Sequence, residues 1–192
     1  DKDKLIITDN VIFKKKELSN YIKDLNINSA KNLIYHIDPS INVKNINLSN
    51  DLSHRIELIY NSNNLKVYND SKCTNLNNAV YKNKLINSDK KILILGGRLK
   101  KQENNLKFNI KNTLVLIFGL QTNLFINQIN FINSNYFKFN NLTELINFLK
   151  LLRKLRKFEY ILFSPGGESF DFYKNYSDRG NHFNQLVKKA LF

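Results

Sequence analysis

Cysteine, proline, glycine and arginine are all scarce in this 192-residue chain: one Cys, two Pro, six Gly and five Arg. A single cysteine, Cys73, excludes a disulfide framework and a cysteine-built metal cluster. No apolar run approaches the ~20 residues of a membrane span. The first ten residues, DKDKLIITDN, lack the basic, then apolar, then small-residue order of a signal peptide. A reducing, cytoplasmic setting without a membrane partner is therefore expected. Glycine is absent from the first 95 residues and then falls at Gly96, Gly97, Gly119, Gly166, Gly167 and Gly180. The chain changes character along its length.

What is present is a core. Hydrophobic residues make up 42% and aromatics 12%, enough to bury an interior and too much for a disordered chain. The length suits one domain, or one domain with part of another. The formal charge of +14 points toward nucleic acid, but its make-up points away. It comes from 25 Lys in a chain that also holds 33 Asn and 21 Ile, all residues of A/T-rich codons. The arginine forks that suit phosphates and bases are few. No specific nucleic-acid partner is expected.

Three apolar runs carry the fold. Lys91–Leu95 ends in Gly96-Gly97, Leu114–Phe118 ends in Gly119, and Tyr160–Phe163 ends in SPGG at 164–167. Helical patterns at Thr122–Ile129 and Leu142–Leu155 lie between them, and another follows at Gly180–Leu191. Continuous apolar strands alternating with helices predict an α/β domain with a buried, mostly parallel sheet. Upstream, Leu5–Phe13 reads as a strand, Lys15–Leu25 as a helix, and Lys31–Ile37 as either, ended by Pro39. Arg55–Tyr60 and Leu65–Tyr68 read as a hairpin around NSNN at 61–64, and Thr74–Leu85 as a helix. Ligands of parallel sheets bind beyond the carboxyl ends of the strands, so the loops at 96–97 and 164–167 are candidate site loops.

Four segments hold the candidate chemistry. In NDSKCTN at 69–75, Asp70 or Ser71 could cap the following helix. Lys72 would then stand at a helix N-terminus, a poor place for a cation unless an anion is bound. In SPGGESFDFYKNYSDRG at 164–180, a small-residue loop offers backbone N–H groups and the Ser169 hydroxyl to a carboxylate, and Asp178 and Arg179 could simply pair on the surface. GGRLKK at 96–101 is a glycine turn followed by cations, and Ser53-His54-Arg55 precedes the hairpin.

Together these segments resemble the Mur ligases, in the branch that adds D-glutamate. NDSKCTN resembles that branch's NDSKATN, and the 164–180 segment its SPA-x-x-SFDQFKNFExRG. GGRLKK is similar to its Gly-Gly-x-x-Lys loop, and Ser53-His54-Arg55 to its Leu-Pro-His-Arg. The order is the family's, over residues 53–192. The resemblance implies a Rossmann-like C-terminal domain at 53–192, preceded at 1–52 by a remnant or tail of the central ATP-binding domain. It implies ATP-dependent amide formation, adding D-glutamate to UDP-N-acetylmuramoyl-L-alanine through an acyl phosphate in peptidoglycan precursor synthesis. By carry-over, Lys72 is the catalytic residue facing the transferred phosphoryl group. His54, Arg55 and Asp70 bind ATP. Thr74, Lys100, Ser169 and Tyr176 hold D-glutamate, with Phe170 shaping the pocket. Mg²⁺ is implied as a cofactor with ligands mainly in the central domain. A G-x-x-x-x-G-K-[ST] phosphate loop is absent from the chain, so the 192 residues alone are expected to be inactive, and monomeric.

The chain departs from the family pattern at Ser53, Cys73, Gly167-Glu168 and Tyr176. Glu168 brings a negative charge to a pocket meant for a dianion, and so bears most on the D-glutamate assignment. The alternatives are a degenerate, non-catalytic binding module derived from a ligase, or a related Mur or folylpolyglutamate-type ligase.

Overall fold

A computed structural model describes residues 18–38, 40–41, 53–100, 107–155 and 157–191. The chain runs α1 (Leu18–Ile37), β1 (Glu57–Ser62), β2 (Leu65–Asn69), α2 (Leu76–Leu85), β3 (Lys91–Gly96), β4 (Phe108–Lys111), β5 (Leu114–Phe118), α3 (Thr122–Asn127), β6 (Ile129–Ile132), β7 (Asn135–Phe139), α4 (Leu142–Leu155), β8 (Tyr160–Gly166) and α5 (Tyr176–Leu191). The upstream helical readings are one helix, α1. Residues 5–13, read as a strand, lie outside the described residues, as does Pro39.

Six strands form one sheet in the order β1-β2-β8-β3-β5-β7. Every neighbouring pair is parallel except the β1–β2 hairpin. This is the α/β architecture with a mostly parallel sheet that the apolar runs predict, and it agrees with the Rossmann-like domain that the resemblance implies. The runs are apolar throughout because both faces of the sheet are covered. Successive side chains of a strand point to opposite faces. Thus Leu93, Leu95, Val115, Ile117 and Leu162 enter one core with Leu76, Ala79 and Val80 of α2 and Phe125 of α3. Ile92, Ile94, Leu116, Phe118, Ile161 and Phe163 enter the other, with Leu142, Leu145, Ile146 and Leu149 of α4 and Phe183, Val187 and Leu191 of α5. The α4 and α5 residues recur at three- and four-residue spacing, the stripe that a helix lays on a sheet. The Phe183 ring stacks on Phe163, centroids 4.0 Å apart.

After β7 the chain returns over the α4 face and inserts β8 between β2 and β3. The loops leaving β2, β8, β3 and β5 therefore emerge side by side along one edge. Three strands were not read from the sequence. β4 and β6 make a separate parallel ribbon, and β7 closes one edge of the main sheet. The helical reading of Thr122–Ile129 is corrected: α3 stops at Asn127 and Ile129 opens β6. Among the described residues no helix is long and apolar enough to cross a membrane.

Candidate functional site

The loop leaving β2 does not start a helix at once. Cys73 N–H donates to the Asp70 carbonyl at 2.9 Å, closing a separate turn. Helix α2 begins at Leu76, capped by Asn75, whose side-chain oxygen accepts from Asn78 N–H. This corrects the reading of Asp70 or Ser71 as the cap. It also removes Lys72 from the helix N-terminus. The Lys72 N–H instead donates to the His54 carbonyl at 3.0 Å, and its ammonium stands 5.2 Å from the centre of the Tyr176 ring, a cation–π contact. Loop and helix α5 are thus joined through a catalytic and a binding candidate.

Asp70 is fully buried. Its Oδ2 accepts from Lys82 Nζ and from Ser164 Oγ, both at 2.7 Å, while Oδ1 has no hydrogen-bond partner among the described residues. Burial, working against the Lys82 charge, raises its pKa above the ordinary carboxylate range. His54 is buried too, at positive φ. Its Nδ1 lies 3.1 Å from Asn69 Nδ2, and its ring packs against Gly180 so closely that a Cβ there would sit 2.4 Å from Nδ1. The tight backbone at His54 and Ile56, both with φ above +50°, delays β1 to Glu57 and leaves Arg55 exposed beside them.

The β3 and β8 loops meet backbone to backbone. Arg98 N–H donates to the Glu168 carbonyl at 2.8 Å, and Glu168 N–H to the Arg98 carbonyl at 2.7 Å. Gly97 makes this approach possible: its φ is +96°, and a Cβ there would lie 2.3 Å from the Glu168 carbonyl oxygen. Lys100, on the exposed side of this bridge, has its Nζ 3.7 Å from Glu168 Oε1. Leu99 N–H donates to Gln121 Oε1 at 2.8 Å, tying in the loop after β5.

Ser169 was expected to expose its hydroxyl, but the residue is buried, and its carbonyl accepts from the Tyr173 N–H at 3.0 Å. Phe170 is 64% exposed and Tyr176 36%, so Phe170 lies over the surface rather than in a closed pocket. Thr74 is half-buried.

The residue that sequence reading missed is Arg179. As part of a surface pair with Asp178 it would be exposed, yet it is the largest fully buried side chain. It donates to Ser71 Oγ, the Ser71 carbonyl and the Gly167 carbonyl at 3.1, 2.7 and 3.0 Å. Burial lowers its pKa to about 10, so it stays cationic at neutral pH. Helix α5 starts at Tyr176, one turn earlier than read, with Asn175 Oδ1 accepting from Asp178 N–H at 2.8 Å. Asp178 therefore belongs to the helix start. Arg179 falls on the stripe of Phe183, Val187 and Leu191, and that four-residue spacing is the signal that could have found it. Asp171, also unassigned, holds Phe172 N–H with Oδ1, while its buried Oδ2 has no hydrogen bond among the described residues.

No family model matches the chain. Individual curated proteins do. It is 36% identical over 194 residues to UDP-N-acetylmuramoylalanine–D-glutamate ligase of Petrotoga mobilis, covering 98% of this chain and 43% of that protein. It is 34% identical over 128 residues to the ligase of the same name from Fervidobacterium nodosum, covering 65% of this chain and 30% of that one. The enzyme of Prochlorococcus marinus strain MIT 9312 matches at 36% over 137 residues, covering 66% and 28%. The chain thus spans less than half the length of these relatives.

Proposed function

Since the chain is a Mur ligase region related to the D-glutamate-adding enzymes, we propose that it forms the C-terminal part of an ATP-dependent ligase joining D-glutamate to UDP-N-acetylmuramoyl-L-alanine in the cytoplasm. Residues 53–192 are its amino-acid-presenting domain, acting as a monomer, and residues 1–52 a tail of the ATP-binding domain. The observation that carries this reading is the side-by-side emergence of the loops after β2, β8 and β3, the loops that hold the family-like motifs.

The reaction has two steps. The substrate carboxylate attacks the γ-phosphorus of ATP and ADP leaves. The amine of D-glutamate then attacks the acyl carbon, gives up a proton, and phosphate leaves. Both steps build negative charge on oxygen, and fixed cations stabilise it. Lys72 is the cation assigned to that charge, and its contact with the Tyr176 ring supports the assignment. Exposed Arg55 is free to reach ATP phosphates. His54 supports it from the buried side. Asp70 is assigned to the ribose, and its burial with Lys82 and Ser164 on Oδ2 makes it the assigned contact least open to a ligand. Lys100, Thr74, Ser169 and Tyr176 are assigned to the D-glutamate carboxylates, with exposed Phe170 beside buried Ser169. Among the described residues no group of three His, Cys, Asp or Glu could hold a metal ion. Mg²⁺ would be held mainly by ligands of the central ATP-binding domain, where it would neutralise phosphate charge.

The test is direct binding to the purified chain followed by ¹⁵N–¹H NMR. D-glutamate should shift amides at Gly97, Lys100 and Ser169, and L-glutamate should do so less. The chain alone should not hydrolyse ATP. Shifts scattered over the opposite edge of the sheet, or ATP turnover that Lys72→Ala abolishes, would refute the reading.

A further inference from the structure

We propose that Glu168 is a built-in counter-ion for Lys100, which an incoming ligand carboxylate must displace, so that Glu168 sets the selectivity of this edge against a second negative charge. The inference rests on the D-glutamate reading above and deepens it.

The geometry supports a poised and releasable contact. Two reciprocal backbone hydrogen bonds with Arg98, of 2.8 and 2.7 Å, hold the Glu168 main chain, so its carboxylate leaves from a fixed point. Lys100 follows Arg98 by two residues, which keeps its ammonium within reach of the Glu168 carboxylate. The pair closes at 3.7 Å with Lys100 62% and Glu168 30% exposed. A contact that long and that wet is a weak one, screened by salt. It therefore neutralises Lys100 in the empty site without locking it. Two other cations of this edge are differently engaged: Lys72 faces the Tyr176 ring, and Arg179 donates to backbone carbonyls. Asp70 has its own partner in Lys82. Lys100 is thus the exposed lysine of the edge whose charge is met by an equally displaceable carboxylate. A ligand bringing one carboxylate more than a neutral amino acid competes with Glu168 for it and is repelled by Glu168 once bound.

The experiment titrates the purified chain and its Glu168→Gln variant with D-glutamate and D-glutamine, read by NMR amide shifts at low and at physiological salt. Glu168→Gln should tighten D-glutamate about two- to fivefold, the range that an exposed ion pair is worth. D-glutamine should hardly change, and the gain should shrink as salt rises. In a double-mutant cycle, Lys100→Met should erase the gain. Equal D-glutamate affinity in both proteins would overturn this inference and leave the D-glutamate reading intact. Weaker binding in Glu168→Gln would also overturn it, by making Glu168 a supporting contact. No binding of D-glutamate to either protein would overturn both.

Discussion

Arg179 grips Ser71 twice, Nε to the hydroxyl and Nη2 to the carbonyl, across 108 residues of sequence. A third bond, from Nη1 to the Gly167 carbonyl, makes one guanidinium the clamp between the β2 and β8 loops. Ser71 in turn donates to the Tyr176 carbonyl at 2.7 Å, closing the loop onto the start of α5. The planar fork of arginine suits three acceptors spread around it.

Replacing that fork should be costly. Arg179→Met leaves two buried carbonyls unpaired and the Ser71 hydroxyl with only its bond to Tyr176, and should lower stability by about 3 kcal/mol or more. Arg179→Lys should recover only part, because an ammonium cannot span the same acceptors. Urea unfolding of the three proteins measures this, and a loss below 1 kcal/mol in Arg179→Met would contradict the clamp.

Gly180→Ala tests the packing of His54. Inside a helix the change should stabilise by up to about 1 kcal/mol. Here the new methyl would meet the His54 ring at 2.4–2.9 Å, and overpacking of this kind costs about 1–3 kcal/mol. A net loss is expected, smaller in a His54→Ala background. Additive effects in the double mutant would argue against direct contact.

Lys82→Met should show a pH-dependent cost. At neutral pH it leaves the Asp70 carboxylate buried with a hydroxyl as its remaining side-chain partner, a loss of about 3–5 kcal/mol. Burial raises the folded-state pKa of Asp70 above its unfolded value, so the native state favours the protonated form. Below the unfolded pKa the carboxyl is neutral in both states and needs no cation. The gap between wild type and variant should therefore narrow as the pH falls from 7 toward 4, and a constant gap in thermal unfolding would refute the assignment.

Asp171→Asn should be mildly stabilising at pH 7. The carboxamide keeps an oxygen for Phe172 N–H and removes a charge from a poorly solvated position. Burial raises the pKa of Asp171 as well. The penalty on its charged form is thus absent below the unfolded pKa and grows as pH rises through the folded one. A gain of about 1 kcal/mol or less is expected near neutrality, vanishing in acid. Destabilisation at pH 7 would mean that Oδ2 has a partner.

The strands read best from sequence were β3, β5 and β8, because burial on both faces leaves an unbroken apolar run. β7, NYFKF, escaped notice: four of its five residues are exposed, and it owes its strand form to backbone pairing with β5. β6 is too short to read as a strand, and its first residue, Ile129, continues the apolar spacing of the preceding helix. At the site, the NDSKCTN and SPGGES loops were legible as loops after buried strands. The cap at Asn75 and the pair of Asp70 with Lys82 were not, and the burial of Arg179 is marked only by its four-residue spacing from Phe183.

The α/β class, the parallel core and the edge to which the motif-bearing loops belong are all legible along the chain. Apolar periodicity and glycine turns are local properties, written within a few residues of where they act. Which polar groups serve the interior follows from how distant segments meet in the fold. The insertion of β8 between β2 and β3 brings Ser164 to Asp70 and Gly167 to Arg179, 94 and 12 residues apart in the chain. A charged side chain at that crossing is buried because partners from distant loops satisfy it there, and no spacing along the chain encodes where those partners meet.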